Sequence, residues 1–180
     1  DGMIYTENLR GAKCTDRIIC NEWGVIEFVP KFTFHGFRYV EVTGLRRKPD
    51  LSDVTGLVLH SEIPSTGMFE CSEPLVNRLQ QNIVWGQKGN FFEAPTDCPQ
   101  RDERLGWTGD AQIFIGTAAF NRDVSSFFEK WCEDMEDAQF DDGRIPHVAP
   151  NPFRDDKGRS GGGGGQAAWA DAVVICPWMI

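Results

Sequence analysis

The chain has 180 residues, of which 41% are hydrophobic and 12% aromatic, and it carries a net charge of −9. That much apolar material excludes a disordered chain, and no basic stripe longer than Arg46-Arg47-Lys48 is present to neutralise phosphates, which excludes nucleic-acid binding. An acidic surface of this kind suits action on neutral substrates.

The length fits one domain or pieces of two. No apolar run approaches a membrane span. The six cysteines contain no CxxC pair, so neither a zinc site nor a dense disulfide framework is expected, and a reducing, cytoplasmic setting is. No metal or other cofactor is expected. The chain opens at Asp1-Gly2 without Met, and the expectation is that the true N-terminus lies upstream.

In chain order, residues 1 to about 60 read as β-structure. Segments 25–29, 32–34, 37–42 and 56–60 are rich in β-branched and aromatic residues and are punctuated by Pro30, Gly36, Gly44 and Pro49. Polar and apolar residues alternate from Arg38 to Val42, as on a strand with one wet face. These segments predict the last strands of a sandwich. The composition then changes. Ser72 is a candidate cap with Pro74 in the first turn, and Leu75, Leu79 and Ile83 follow at helical spacing, predicting a helix over about 73–87. A second apolar stretch begins at Asp110 and reaches Phe120. Asp123 is placed to cap a third helix with Val124, Phe127, Phe128, Trp131 and Met135 on one face, stopped by Gly143. A fourth is expected from about Ala167 to Ile180. Strands first and helices afterwards indicate two domains, 1–66 and 67–180. Two irregular segments remain, 90–109 and 146–166, the latter holding five consecutive glycines at 161–165.

The chemistry concentrates in PTDCPQRDERLGWTGD, residues 95–110. It packs four acids, two arginines and a Trp into sixteen residues, with two prolines and two glycines fixing its path. Crowded carboxylates cannot all ionise freely unless arginines or hydrogen bonds hold them, and such crowding can raise one until it acts as an acid. A salt-bridged surface turn capped onto a helix by Asp110 would have the same composition.

The order of these residues resembles the acid-bearing motif of the bacterial α-L-rhamnosidases, family 78 of the glycoside hydrolases. The resemblance extends through NLRGAK at 8–13, FTFHGFRYVEVTG at 32–44, NIVWGQKGNF at 82–91, DGRIPHVAPNP at 142–152 and AAWADAVVICPW at 167–178. It implies an α+β fragment, with the C-terminal strands of a β-sandwich followed by the first helices of an incomplete (α/α)6 barrel. It also implies cleavage of terminal α-linked L-rhamnose with inversion, on rhamnose-containing oligosaccharides or glycosides. The family's acid falls on Glu103, which would protonate the glycosidic oxygen. Asp97, Arg101, Asp102, Trp107 and Asp110 match positions that line the sugar pocket, and Trp169 is a further carry-over whose alternative is a core Trp of the fourth helix. The family's general base is a glutamate far downstream, so residues 1–180 alone are expected to be inactive.

His35 and His147, without an acid at a suggestive spacing, are expected to be structural, as is Asp171, and Cys98 is expected to be a packed small residue. The segment 90–109 is expected to be ordered, with Glu103 facing a concave surface. A carbohydrate-binding module without catalysis and an (α/α)6 glycosidase for another sugar are the alternative functions.

Overall fold

The computed structural model describes residues 2–21, 24–153 and 163–180. Helical periodicity decides where its regular structure lies. Helix α1 spans Pro74–Asn90, α2 Thr108–Asn121, α3 Ser125–Asp137 and α4 Ala172–Met179. Between α1 and α2 lies a two-residue antiparallel pair, β1 Phe91–Phe92 and β2 Ala94–Pro95, in the register Phe91 to Pro95 and Phe92 to Ala94.

The helix starts show which local signals act. Pro74 takes the first position of α1, where a missing N–H is harmless, but the cap is Glu73, not Ser72: its carboxylate accepts from the Leu75 N–H. Helix α2 starts two residues before Asp110, because the Thr108 N–H and hydroxyl both donate to the His147 carbonyl, at 2.9 and 3.0 Å. A long-range partner, invisible to local spacing, satisfies that orphan donor. Asp123 does accept from the Ser125 N–H at the head of α3, at 3.4 Å. Helix α4 starts at Ala172 rather than near Ala167, since residues 167–171 form a turn in which Asp171 Oδ2 accepts from the Ala168 N–H. Of the glycine run, 161–162 lie outside the described residues.

The core sits where α2, α3 and α4 meet. Ile115, Ala118, Phe128, Trp131, Met135, Ala172 and Cys176 are almost wholly buried, and α4 packs on both other helices. Phe91 stacks on Phe127 at 4.6 Å and meets Phe128 edge-on at 5.8 Å, geometry that aromatic quadrupoles favour. The buried Trp131 indole N–H donates to the Ala149 carbonyl at 2.8 Å. Helices α1 and α2 are joined by amides: Gln80 donates to Asn121, Asn121 to Gln87, and Gln87 to the Ala118 carbonyl. Gln80, Gln87 and Asn121 thereby each meet a polar partner. The predicted stripe of α1 is largely open, with Leu75 and Leu79 exposed.

The strands expected at 25–29, 32–34, 37–42 and 56–60 do not form among the described residues, which between 2 and 60 hold only the short 3-10 turns Glu7–Leu9 and Leu51–Asp53. The physical reason is that a strand exists only through a ladder to a neighbour, and these segments meet no partner edge. In 37–42 the side chains stay open on both faces, with Tyr39, Val40 and Val42 all exposed. By contrast, residues 61–66 are tied to the helical part. Ile63 is in the core, its carbonyl accepts from Arg122, and the Asp123 N–H donates to the Pro64 carbonyl.

Candidate active site

The acid-rich segment is an ordered turn closed on itself. Thr96 ties its start to the end of α1, with its N–H and hydroxyl both bonded to the Asn90 carbonyl at 2.9 Å. Asp97 then pairs twice with Leu105: its N–H donates to the Leu105 carbonyl at 3.2 Å, and its carboxylate accepts from the Leu105 N–H at 3.1 Å. Residues 98–104 are looped out between these ends. Cys98 is buried beneath the loop, its thiol pointing at the Arg101 and Asp102 carbonyls. Burial pushes this thiol up, so it is the packed residue expected rather than a nucleophile.

At the tip, Glu103 and Arg104 both take positive φ, +94° and +48°, which costs a non-glycine residue on the order of 1–3 kcal/mol each. The surrounding ion pairs hold this conformation. Arg101 is central: it bonds the Glu103 carboxylate, reaches Asp97 at 3.3 Å and donates to the Asp102 carbonyl at 2.9 Å. The Glu103 carboxylate raises the Arg101 guanidinium above its ordinary value. Arg10, ninety-three residues upstream, also donates to Glu103 at 2.9 Å.

The structure therefore brings Asp97, Arg101 and Glu103 into one cluster. Asp102 is not bonded to Arg101 through its carboxylate, which accepts instead from the Gly11 N–H at 3.2 Å. Asp110 stands in the first turn of α2; burial pushes its carboxyl up, and the Asp97 and Glu103 carboxylates add to this. Trp107 lies at the N-cap of α2, paired by a backbone bridge with Val148, and its indole Nε1 is buried with no partner among the described residues. Trp169 lies in the turn before α4, not inside that helix. It is 5.6 Å from the His147 ring, and a Cβ on Gly109 would come within 3.0 Å of its Nε1. Trp169 thus borders the same helix start that carries Asp110.

An open cleft of about 410 Å³ lies behind the loop, walled by Phe34, Phe92, Arg104, Leu105 and Pro150 among others. Glu103 is not among its walls. Its side chain is 35% exposed and ion-paired with Arg10 and Arg101. His35, expected to be structural because no acid stands at a suggestive spacing, meets Asp16 at 3.0 Å. His147 positions α2 through its carbonyl, while its ring Nε2 is buried without a partner among the described residues.

Arg10 and Arg104 were not singled out by spacing. Arg104 donates to the Phe34 carbonyl at 2.8 Å, with its guanidinium 4.6 Å from the Phe34 ring. The one available signal was that Arg10 precedes a glycine within NLRGAK.

Two family models match this chain. Residues 64–180 match the bacterial α-L-rhamnosidase six-hairpin glycosidase domain, and residues 1–60 the bacterial α-L-rhamnosidase concanavalin-like domain. An α-L-rhamnosidase of Formosa agariphila is 48% identical over the whole chain, which covers 19% of that protein. One from Streptomyces avermitilis is also 48% identical over the whole chain, covering 17% of it. Among solved structures, the S. avermitilis α-L-rhamnosidase complexed with L-rhamnose superimposes on 99% of this chain with a TM-score of 0.89, at 48% identity and 17% of its own length. The Dictyoglumus thermophilum α-L-rhamnosidase covers 84% of this chain with a TM-score of 0.76, at 42% identity and 16% of its length. The chain thus spans under a fifth of the relatives it matches, and over that span it belongs to the bacterial α-L-rhamnosidase family.

Proposed function

We propose that the polypeptide carrying this chain hydrolyses terminal non-reducing α-L-rhamnose from rhamnosides by an inverting mechanism, with Glu103 as general acid. The observation that carries this reading is the Glu103 carboxylate, presented at the tip of a closed, strained loop and fixed there by Arg101. An inverting hydrolase needs one carboxylic acid to protonate the leaving oxygen and a second carboxylate to activate water on the opposite face, about 6.5–9.5 Å away. Asp97, Arg101, Asp102, Trp107, Asp110 and Trp169 would bind the sugar: carboxylates accept from its hydroxyls, and an indole covers its apolar face. The general base would lie in the family's later helices. The first 66 residues would complete a β-sandwich, and α1–α4 would open an (α/α)6 barrel occupying 67–180 onward. Six unpaired cysteines suit a cytoplasmic setting.

The test is leaving-group dependence in the whole gene product. A general acid matters most when the departing oxygen needs a proton. Glu103→Gln is therefore expected to lower kcat/KM on a rhamnosyl disaccharide by about 10²–10⁴, and much less on an activated aryl rhamnoside, whose leaving group departs nearly unaided. Asp102→Asn should show no such contrast. An equal loss on both substrates for Glu103→Gln, with the contrast appearing in Asp102→Asn, would move the acid to Asp102.

A further inference from the structure

We infer that Arg10 is a positioning residue for Glu103, delivered by the segment that matches the first family domain to the acid of the second. This rests on Glu103 being the general acid.

The two segments meet in register. Arg10 donates to Glu103, Gly11 donates through its backbone N–H to Asp102, and the Cys14 thiol donates to the Gln100 carbonyl. Residues 10–14 thus run antiparallel to 100–103. Further along, the Gly36 N–H donates to the Pro99 carbonyl at 3.1 Å, and Phe34 accepts from Arg104. A Cβ on Gly36 would stand 2.9 Å from Pro99 backbone atoms, so that approach needs glycine. Arg10 itself sits at φ +54°, directly after the 3-10 turn Glu7–Leu9. This turn aims the side chain across to the loop.

The atoms say what the contact does. Arg10 and Arg101 both donate to the same oxygen of Glu103, Oε2, and among the described residues Oε1 accepts no hydrogen bond. A carboxylate oxygen has two lone pairs in its plane. With two guanidinium N–H groups on Oε2, the carboxyl proton is directed to Oε1. From there it passes to the glycosidic oxygen as the C–O bond breaks, the bonding pair goes to that oxygen, and Glu103 is left as the carboxylate. Without Arg10, Oε2 regains a lone pair, the proton has two sites, and the carboxyl can rotate on its stem. An exposed ion pair that merely stabilises is worth little, about 0–1 kcal/mol, and would not discriminate between leaving groups.

The experiment compares Arg10→Ala, Arg10→Gln, Arg10→Lys and Glu103→Gln in the whole gene product. Each is assayed on a rhamnosyl disaccharide and on an activated aryl rhamnoside, with L-rhamnose affinity measured by calorimetry and folding by thermal melting. Arg10→Ala and Arg10→Gln should lower kcat on the disaccharide by about 10–100-fold, the cost of a misplaced catalytic group. They should affect the aryl substrate far less and leave L-rhamnose affinity unchanged, while Arg10→Lys recovers part of the loss. Arg10→Gln, which keeps a polar stem, carries the test if the alanine variant does not fold. Equal losses on both substrates, a change confined to KM, or no loss would overturn the role of Arg10. If Glu103→Gln shows leaving-group dependence and the Arg10 variants do not, only this inference falls. If Glu103→Gln shows none, the acid assignment falls and this inference with it.

Discussion

Replacing Gly106 by alanine should unsettle the core from the side of the acid-rich loop. A Cβ there would stand 2.1 Å from the Ala149 carbonyl oxygen and 3.0 Å from the Trp131 Nε1. Real Cβ contacts essentially never fall below 3.0 Å, so the carbonyl must retreat by about 0.9 Å. It is not free to do so: the Ala149 N–H is bonded to the Gly106 carbonyl at 2.9 Å, and the Ala149 carbonyl holds the buried Trp131 indole at 2.8 Å. The forced shift costs about 1–3 kcal/mol, and an indole N–H left unpartnered costs about 1–3 kcal/mol more. Gly86 supplies the control. It lies within α1, and a Cβ there meets nothing within 4 Å, so Gly86→Ala should stabilise by about 0.5–1 kcal/mol through helix propensity. Urea unfolding of the whole gene product, followed by tryptophan fluorescence, compares the two midpoints. A Gly106→Ala variant within about 0.5 kcal/mol of the parent, the scatter of ordinary surface changes, would refute the packing argument.

The thiols and the raised carboxyl give two more tests. Burial pushes Cys176 up to about 12 and raises Cys98, so mass-spectrometric alkylation at pH 8 should modify the exposed Cys20 quickly, and Cys98 and Cys176 only as the protein unfolds. Equal rates would show that those sites open without unfolding. Asp110 has a folded value above its unfolded one, so ionising it costs stability as pH rises past about 3.9, the ordinary carboxyl value. The melting temperature of Asp110→Asn relative to the parent should therefore rise between about pH 4 and 7, and a flat or falling difference would argue against burial as the cause.

What could be read from the sequence was what depends on near neighbours. The buried faces of α3 at Phe127, Phe128, Trp131 and Met135 follow a 3.6-residue period, and periodicity alone places them. The acid-rich loop was legible because Pro, Gly and charge crowd into it. Contacts closed over long separations were not. Arg10 reaches Glu103 across ninety-three residues, and the start of α2 is set by His147, thirty-nine residues away. The segments at 25–42 carry strand composition, but composition supplies no partner edge, so they form no ladder. Trp169 could be read equally as helix core or site wall, and only the turn ahead of Ala172 decides where it stands.

The amide bonds between α1 and α2 have a consequence for the contour of the chain. Gln87, three residues before α1 ends, meets Ala118 and Asn121 near the far end of α2. The chain leaving α1 must therefore travel back along α2 to reach Thr108, a distance of about 15 Å at the helical rise. Some five extended residues would bridge it. The connection 91–107 is much longer than that, and the surplus length is what the polypeptide folds into the turn bearing Glu103. Its first residues serve the core, where Phe91 and Ala94 are buried, while trimming the rest would leave the helices able to join and remove the turn that presents the Glu103 carboxylate.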